Sequence, residues 1–355
     1  MKILLSGGGT FGSVSPLIAV YQTIKRDYPS ADFLWVGTKS GPEIQFIKSY
    51  GLEFKAIQSG KLRRYFSWQN FLDPARILIG FIQSLIIIKK FKPDIIVSSA
   101  AYVAVPLSWA GKFFKISVLI HQQDVRPSLA NKIISSFAKK ITVTFENSKN
   151  NFNPSKVVQT GNPARSEIYE GSKEKAIAQF KLQSDIAIIL ILGGGTGSKA
   201  INDLVFESVE QIAKNAQVIH ITGKGKGEKI FFNNYLQLEF LTDEFKDVLA
   251  AADLVVCRAS MSVLTECAAL KKAVALIPIP NSHQEDNALE FSKNNAAIYL
   301  KQNDLTPEDF SEFISNIIVD KSQLENLSRN IEKLNIVDQE NNLANQIIQI
   351  VKDAT

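Results

Sequence analysis

The chain alternates between short apolar runs and longer stretches in which apolar residues recur every three or four positions. The short runs are rich in Ile, Val and Leu throughout, which is typical of strands buried on both faces. The longer stretches, such as 16–27 and 128–138, have the period of amphipathic helices. This alternation predicts an α/β fold with a parallel sheet covered on both sides. The strands predicted in the first half are 2–6, 33–36, 54–57, 94–97, 117–120 and 140–143.

The same design starts again in the second half of the chain. Residues 187–201 (AIILILGGGTGSKAI) repeat the strand, glycine-rich loop and helix of residues 3–18. Because Gly and Pro punctuate TGNPARSE, we predict a boundary there and two doubly wound, Rossmann-like domains, 1–162 and 163–338. A last helix within 339–355 has no strand after it, so we expect it to pack back on the first domain. The strands predicted in the second half are 217–221, 239–241, 254–257, 273–277 and 296–299.

The composition excludes several classes of protein. A length of 355 residues suits two domains, and a net charge of +5 gives no support for nucleic-acid binding. Cys257 and Cys267 cannot form a disulfide framework, resemble ordinary buried residues and indicate a reducing compartment. The three histidines lie far apart and no Asp-x-Asp sequence occurs, so no metal site is predicted.

The first glycine-rich loop suggests an anion site. Gly7, Gly9 and Gly12 match the dinucleotide fingerprint between a strand and a helix. The second strand, however, ends in VGTKS and lacks the carboxylate that binds a ribose, which makes a nicotinamide or flavin cofactor unfavourable. Backbone amides at a helix start still bind anions well, although a purely structural turn would use the same glycines.

Two later motifs suit a sugar or a phosphate. In CRASMSVLTECAAL (257–270), Ser260 and Ser262 can cap a helix whose amides face an anion. Glu266 could accept hydrogen bonds from sugar hydroxyls, or it could simply favour the positive end of the helix. In PIPNSHQEDNA (278–288), the amides of Gln284 and Asn287 suit sugar hydroxyls, although helix capping would explain part of this motif.

Six stretches follow one another along nearly the whole chain: SGGGTFGSVSPLIAV, VLIHQQD, QTGNPARSEI, ILGGGTGSKAIN, VVCRASMSVLTECAAL and HQEDNA. In this order they resemble the signatures of the MurG family of glycosyltransferases. That resemblance implies two domains facing a cleft (the GT-B fold). It also implies an inverting, metal-independent transfer of N-acetylglucosamine from UDP to lipid I, giving lipid II for the peptidoglycan of cell growth and division, with no cofactor. The first domain would meet the acceptor at the cytoplasmic face of the bacterial membrane, and the second would bind the donor.

The resemblance also assigns donor-binding roles to individual positions. In the first domain it places the donor sugar and its phosphates at Thr10, Phe11 and Gly12 and the sugar at Asp124. Arg165, just past the predicted domain boundary, would lie near the diphosphate. In the second domain it assigns the uracil to the Leu241 backbone, the ribose to Glu266 and the sugar to Gln284. Gly195 stands where the family has a serine that binds the donor, and the diphosphate would lie against Met261, Ser262, Val263, Leu264 and Thr265.

The departures from the family pattern lie around the chemical step. Ser13 replaces a histidine, Gln122 replaces a glutamate and Asp124 replaces an asparagine. An inverting transfer needs a base for the acceptor hydroxyl, which a serine alone cannot provide. We therefore predict that Asp124 is the base, oriented by His121 or by the first loop, while Ser13 only hydrogen-bonds the hydroxyl.

A basic and apolar region suggests contact with an anionic membrane surface. GKLRRYFSW (60–68) is basic and aromatic, and the apolar stretch 77–88 precedes Lys89, Lys90 and Lys92. Twelve apolar residues are fewer than the ~20 that span a bilayer, so we predict shallow docking rather than a transmembrane helix. No secretory signal is predicted. A buried core helix would explain 77–88 equally well.

Other functions remain open at this point. The same scaffold could act on another lipid acceptor, epimerise a UDP-sugar, or bind a UDP-sugar without catalysis. Other cell-wall synthesis proteins are further expected partners.

Overall fold

In the computed structural model the described residues, which are 1–9, 11–41, 43–60, 69–99 and 101–354, form two compact units. The first unit is Met1–Arg165 together with the chain from Val337 onwards, and the second is Ser166–Ile336. Two parts of the sequence predictions, Thr10 and the basic stretch 61–68, lie outside the described residues.

The first unit contains a seven-stranded parallel sheet in the order β3-β2-β1-β4-β5-β6-β7. Its strands are β1 (Lys2–Ser6), β2 (Asp32–Gly37), β3 (Glu53–Ala56), β4 (Ile95–Ser98), β5 (Ser117–Gln122), β6 (Lys140–Val143) and β7 (Val157–Gln159). Its helices are α1 (Ser15–Asp27), α2 (Glu43–Ser49), α3 (Gln69–Phe91), α4 (Ala104–Phe113), α5 (Leu129–Ser135) and α13 (Asn342–Lys352). Strand β7 is absent from the sequence prediction.

Apolar side chains cover both faces of this sheet, as the uninterrupted apolar strands require. On one face α1 and α13 pack together, and Leu343 and Ile347 of α13 are fully buried with Leu17 of α1. Asp338 fixes the start of α13, because its carboxylate accepts from the amides of Asn342 at 2.6 Å and Leu343 at 2.8 Å. Helices α3, α4 and α5 cover the other face.

Helix α3 is only half buried. Phe81, Leu85 and Ile88 pack into the core, whereas Ile82 and Ile86 on the other face are 51% and 64% exposed. The stretch 77–88 therefore covers the core with one face, as a core helix would, and leaves its other face exposed. None of the helices in the described part of the chain combines the length and the hydrophobicity that a membrane span needs.

The second unit contains a six-stranded parallel sheet in the order β10-β9-β8-β11-β12-β13. Its strands are β8 (Ile188–Leu192), β9 (Gln217–Ile221), β10 (Tyr235–Leu238), β11 (Leu254–Cys257), β12 (Ala273–Leu276) and β13 (Ile298–Tyr299). Its helices are α6 (Lys173–Phe180), α7 (Lys199–Ile212), α8 (Phe245–Ala251), α9 (Met261–Ala269), α10 (His283–Lys293), α11 (Pro307–Val319) and α12 (Lys321–Lys333). The predicted fold class, two doubly wound α/β units, is confirmed.

One predicted strand is misplaced. The strand expected at 239–241 lies instead at β10, whose last residue, Leu238, pairs with Ile221 of β9. Beyond Ile221 the chain turns at Gly223, which has a φ of +90°. The Gly223 amide still donates to the Glu239 carbonyl at 3.1 Å, and the strand does not continue through 240 and 241.

The strand order reverses once in each sheet, between β1 and β4 and between β8 and β11. Loops that follow neighbouring strands diverge at such a reversal and leave a crevice at the carboxyl edge, where ligands of doubly wound folds bind. Both glycine-rich loops follow the first strand of such a pair.

Candidate active site

The glycine-rich loop after β1 is packed too closely for side chains. A Cβ on Gly7 would lie 2.3 Å from the carbonyl oxygen of Ser13. Gly9 has a φ of +85°, and a Cβ there would lie 2.9 Å from the ring of Tyr102, which follows β4. Trp35 Nε1 also donates to the Gly7 carbonyl at 2.9 Å. The glycines are thus required by the packing at the strand-order reversal.

Ser13 holds the two ends of this loop together. Its Oγ accepts from the Gly8 amide at 3.0 Å and donates to the Gly8 carbonyl at 3.2 Å. Its own carbonyl accepts a hydrogen bond from Ser99 Oγ, just after β4. The Ser13 side chain is buried, so its observed role is to close the loop. Contact with an acceptor hydroxyl stays a prediction.

His121 is not placed to accept a proton from a substrate. Its side chain is fully buried, Nδ1 lies 2.9 Å from Thr142 Oγ1 and Nε2 lies 2.8 Å from Asn162 Oδ1. Burial lowers the pKa of His121 to about 4, so the ring is neutral near pH 7. Both ring nitrogens therefore serve the interior of the first unit, and the expected catalytic or orienting role of His121 is not supported.

Gln122, rather than His121, shapes the segment that contains Asp124. The buried Gln122 amide donates from Nε2 to the carbonyls of Asp124 at 2.8 Å and Arg126 at 3.2 Å. Its Oε1 accepts from Asn131 Nδ2 at 2.7 Å, and the same Asn131 amide donates to the His121 carbonyl at 3.1 Å. A glutamate could not make both donations, so an amide here fits this backbone. Asp124 itself is half-buried at the carboxyl end of β5.

Several buried oxygens at the carboxyl edge of the first sheet have no hydrogen-bond partner among the described residues. Buried polar groups are nearly always paired in folded proteins, so these oxygens can each accept a further hydrogen bond. They lie at or after the carboxyl ends of β2, β4, β5 and β6 along the chain. The oxygens are Glu43 Oε2, Ser98 Oγ, Gln123 Oε1, Asn131 Oδ1 and Thr144 Oγ1.

Glu43 is a carboxylate that the sequence interpretation missed. It begins α2, is fully buried, and accepts from the Thr38 amide at 3.0 Å through Oε1. A Cβ on Gly8 would lie 2.4 Å from this oxygen, so the glycine loop runs directly against the carboxylate. The Glu43 side chain therefore packs against the glycine-rich loop. Because it is buried, it does not replace the exposed carboxylate that binds ribose in dinucleotide enzymes.

Arg165 and Phe11 meet on one aromatic cluster in the first unit. The rings of Phe11 and Phe46 are 5.3 Å apart and perpendicular, and the Arg165 guanidinium lies 5.5 Å from the centre of the Phe46 ring. Arg165 also donates to the Tyr50 hydroxyl at 3.3 Å. Two predicted site residues more than 150 positions apart are thus brought together.

Arg258 organises the corresponding edge of the second unit. Its guanidinium donates to Ser198 Oγ at 2.6 Å and to the Ile277 carbonyl at 2.7 Å. Ser198 caps α7 after the glycine-rich loop, Ile277 follows β12, and Arg258 itself follows β11. One buried cation therefore joins the ends of three strands where the strand order reverses. An arginine directly after a buried strand is the sequence signal for this site, and it is absent from the predicted site residues.

Helix α9 begins beside this arginine. Its first intrahelical bond runs from the Leu264 amide to the Ser260 carbonyl, so the earlier amides have no partner within the helix. Ser260 is the N-cap residue, but its side chain makes no capping bond and lies 3.2 Å from Ser262 Oγ. Met261, Leu264 and Thr265 face the core, so a diphosphate would meet the backbone here, together with the half-buried Ser262 and Val263.

The other predicted donor residues surround the same edge. Glu266 is buried in α9, and Gln284 is buried at the start of α10, where its Oε1 accepts from the Ile279 amide at 3.1 Å. Gly195 is exposed at the tip of the second glycine loop, and Leu241 is half-buried in the loop after β10. All four follow the carboxyl ends of strands of one sheet, as a bound nucleotide would require.

Neither metal nor thiol chemistry is indicated by the described residues. They contain no group of three or more His, Cys, Asp or Glu that could hold a metal ion. Both cysteines are buried, and desolvation raises the pKa of Cys257 to about 12 and that of Cys267 well above its usual value.

Comparison with known proteins decides the family. The glycosyltransferase family 28 N-terminal domain matches residues 3–143, and the family 28 C-terminal domain matches residues 188–346. A Clostridium botulinum (strain Langeland) protein named UDP-N-acetylglucosamine–N-acetylmuramyl-(pentapeptide) pyrophosphoryl-undecaprenol N-acetylglucosamine transferase is 35% identical over 350 residues, covering 94% of this chain and 98% of its own. The chain belongs to the MurG family of glycosyltransferases.

A second curated relative agrees with this family assignment, and two solved structures share the fold. A Clostridium kluyveri protein of the same name is 36% identical over 313 residues, with 86% of this chain and 88% of its own covered. The crystal structure of Acinetobacter baumannii MurG has a TM-score of 0.75 at 22% identity, with 98% and 99% coverage. A putative UDP-N-acetylglucosamine 2-epimerase from Listeria monocytogenes has a TM-score of 0.70 at 12% identity, with 99% and 95% coverage. These two structures show the shared fold alone.

Proposed function

We propose that the chain is an inverting transferase that moves N-acetylglucosamine from UDP-N-acetylglucosamine to lipid I, giving lipid II for peptidoglycan synthesis. The observation that carries this proposal is the 35% identity, over nearly the full length of both chains, to a relative named for that transfer. The carboxyl edges of the two sheets, each with a glycine-rich loop at its strand-order reversal, agree with it.

The donor would bind at the carboxyl edge of the second sheet. The unpaired amides at the start of α9 and the capped start of α7 favour the diphosphate, because helix N-termini attract anions without a metal. Glu266 would accept from the ribose hydroxyls, Gln284 would contact the sugar, and the backbone at Leu241 would meet the uracil. Arg258 would keep the ends of the strands in register around the nucleotide.

Asp124 is the proposed general base. The acceptor hydroxyl attacks the anomeric carbon of the donor sugar, the bond from that carbon to the UDP oxygen breaks, and the hydroxyl proton passes to the Asp124 carboxylate. The backbone amides at the start of α9 would donate hydrogen bonds to the departing UDP and so stabilise its negative charge. Gln122 would hold Asp124 in place through the backbone, because its amide fixes the carbonyls on either side of the turn.

Turnover in detergent tests the reaction. The purified chain is incubated with UDP-N-acetylglucosamine with and without lipid I, and lipid II, UDP and any epimerised UDP-sugar are measured. Equal amounts of lipid II and UDP, formed only when lipid I is present, support the proposal. UDP release or UDP-N-acetylmannosamine without lipid I would favour an epimerase, and binding of the donor without turnover would favour a binding protein.

We also propose that the first unit docks on an anionic membrane surface, at the cytoplasmic face of the bacterial membrane. Leu78, Ile82 and Ile86 lie four residues apart on one face of α3 and are 60%, 51% and 64% exposed. Phe113 of the neighbouring α4 is 69% exposed, and Lys89 and Lys90 end α3. Apolar insertion combined with basic attraction gives two weak anchors, which together support reversible binding.

Vesicle sedimentation tests this docking face. The double variant Ile82→Ser/Ile86→Ser should lower the affinity for anionic vesicles about tenfold or more, because each fully buried isoleucine contributes on the order of 1.5–3 kcal/mol. Val319→Ser is the control, since Val319 is 74% exposed in the second unit. Equal binding by both variants, or equal binding to neutral vesicles, would contradict the proposal.

A further inference from the structure

A second candidate site lies at the opposite edge of the first sheet from the glycine loop. A cavity of about 690 Å³ opens where β5 and β6 begin, between the end of α4 and helix α13. Because the strands are parallel, these starts share the amino edge of the sheet, whereas the glycine loop follows the carboxyl end of β1. Ile116, Val118, Phe137 and Ile350 supply an apolar lining.

The charges around this cavity are strongly one-sided. Five lysines line it and only one carboxylate, that of Asp353, which already accepts from Gln349 Nε2 at 2.6 Å. Within the part of the chain that the structure describes, no ion pair joins any of these lysines to an acidic side chain. The cavity therefore has a formal excess of four positive charges. The lysines are Lys112, Lys115, Lys139, Lys140 and Lys156.

Two of the lysines are held in place by the cavity wall. Lys112 Nζ lies 5.0 Å from the centre of the Phe137 ring, a cation–π contact. Lys156 Nζ donates to the Ser136 carbonyl at 3.3 Å. These contacts come from adjacent residues at the end of α5, so both ammonium groups are fixed against the same wall. Positioned cations lose less side-chain entropy when a ligand binds.

We propose that this cavity binds a ligand with two or more phosphate groups. Lysine ammonium groups bind phosphate as compact point charges, and a single phosphate, with a charge of about −2 at most, would leave half of the excess uncompensated. Ser117, Ser155 and Gln346 add uncharged hydrogen-bonding groups to the lining. The ligand is a soluble oligophosphate or the head groups of a phospholipid. The inference does not rest on the proposed transferase activity.

A bound oligophosphate would connect α13 to the sheet and so stabilise the first unit. All three tryptophans of the chain, Trp35, Trp68 and Trp109, lie in residues 1–165, so tryptophan fluorescence reports the unfolding of that unit. We expect tripolyphosphate to raise the midpoint of this thermal transition more than sodium chloride of equal ionic strength.

Matched lysine variants locate the binding. Lys112→Gln/Lys156→Gln should weaken tripolyphosphate binding by about tenfold in calorimetry, while Lys321→Gln/Lys333→Gln, at the two ends of α12 in the second unit, should not. If soluble phosphates do not bind but anionic vesicles bind through Lys112 and Lys156, the proposal holds with a lipid as the source. Equal losses in both variants, or no binding of either probe that depends on the cavity lysines, would overturn it.

Discussion

Replacing Gln122 by the glutamate of the family signature tests how Asp124 is positioned. Gln122 is fully buried, and its Nε2 donates to the carbonyls of Asp124 and Arg126 at 2.8 and 3.2 Å. In Gln122→Glu, an ionised carboxylate has no hydrogen to donate, so an oxygen would face two carbonyl oxygens. We expect the turn between 124 and 126 to shift and the Asp124 carboxylate to move with it.

The cost follows from the bonds that disappear. Each lost donation that leaves a buried acceptor unsatisfied costs about 1–3 kcal/mol, so the two together should cost roughly 2–6 kcal/mol. Gln122→Met removes the same donors without adding a charge and separates the two effects. Gln159→Glu is the matched control, because the half-buried Gln159 amide makes one such donation, to the Thr144 carbonyl at 3.1 Å.

The sign of the pH dependence provides a second test. Burial and the two carbonyls should raise the pKa of the new carboxyl above its unfolded value of about 4.3. Below pH ~4.3 both states are protonated and the hydroxyl can restore one donation, so the stability deficit is smallest there. The deficit should grow as pH rises from ~4.3 to the raised folded pKa, and then stay constant.

Urea unfolding followed by tryptophan fluorescence measures these differences, and lipid II formation measures the effect on turnover. Gln122→Glu should lower turnover while leaving UDP affinity unchanged, because UDP is proposed to bind the second unit. If Gln122→Glu is as stable as Gln159→Glu at pH 8 and retains full turnover, Gln122 does not position Asp124.

Asp124→Asn should lower turnover ~10²–10⁴-fold with UDP affinity nearly unchanged, whereas Ser13→Ala should cost much less; full turnover by the first variant would show that the base lies elsewhere. Glu266→Ala should weaken UDP binding by ~1–3 kcal/mol in calorimetry, and equal or tighter NADH binding would contradict a UDP site. Arg258→Lys should weaken UDP binding about tenfold, because one ammonium nitrogen replaces the two guanidinium nitrogens that bond Ile277 and Ser198 separately; an unchanged affinity would refute this role. Burial lowers the pKa of His121 to about 4, so the first unit should lose up to ~3 kcal/mol of stability as pH falls from 6.5 to 4. Urea titrations at several pH values measure this loss, and it should be smaller in His121→Gln.

The fold could be predicted from the sequence because its signals are local. Uninterrupted apolar runs, glycine loops and helical periodicity each identify their own element, and two copies of one pattern indicate two sheets. The errors in strand prediction occurred where the bounds of a strand depend on the strand that pairs with it. Strand β7 is a short edge strand. Strand β10 ends because the chain after its partner β9 turns at Gly223, and the sequence of 239–241 contains no sign of that turn.

The site was harder to predict, because the sequence gives residue types and not their partners. The sequence predicts that His121 orients Asp124, yet both of its ring nitrogens are bonded to Thr142 and Asn162, which lie 21 and 41 residues further along the chain. Gln122 looked like the loss of an acidic group, yet its amide is what this backbone requires. A carboxylate at 124 and an amide at 122 therefore form one arrangement: the amide fixes the turn, and the turn presents the carboxylate. For that reason the effects of Gln122→Glu and Asp124→Asn on turnover should not be additive. If the glutamate and asparagine of the family work as a unit, the double variant should lose less turnover than the product of the two single losses.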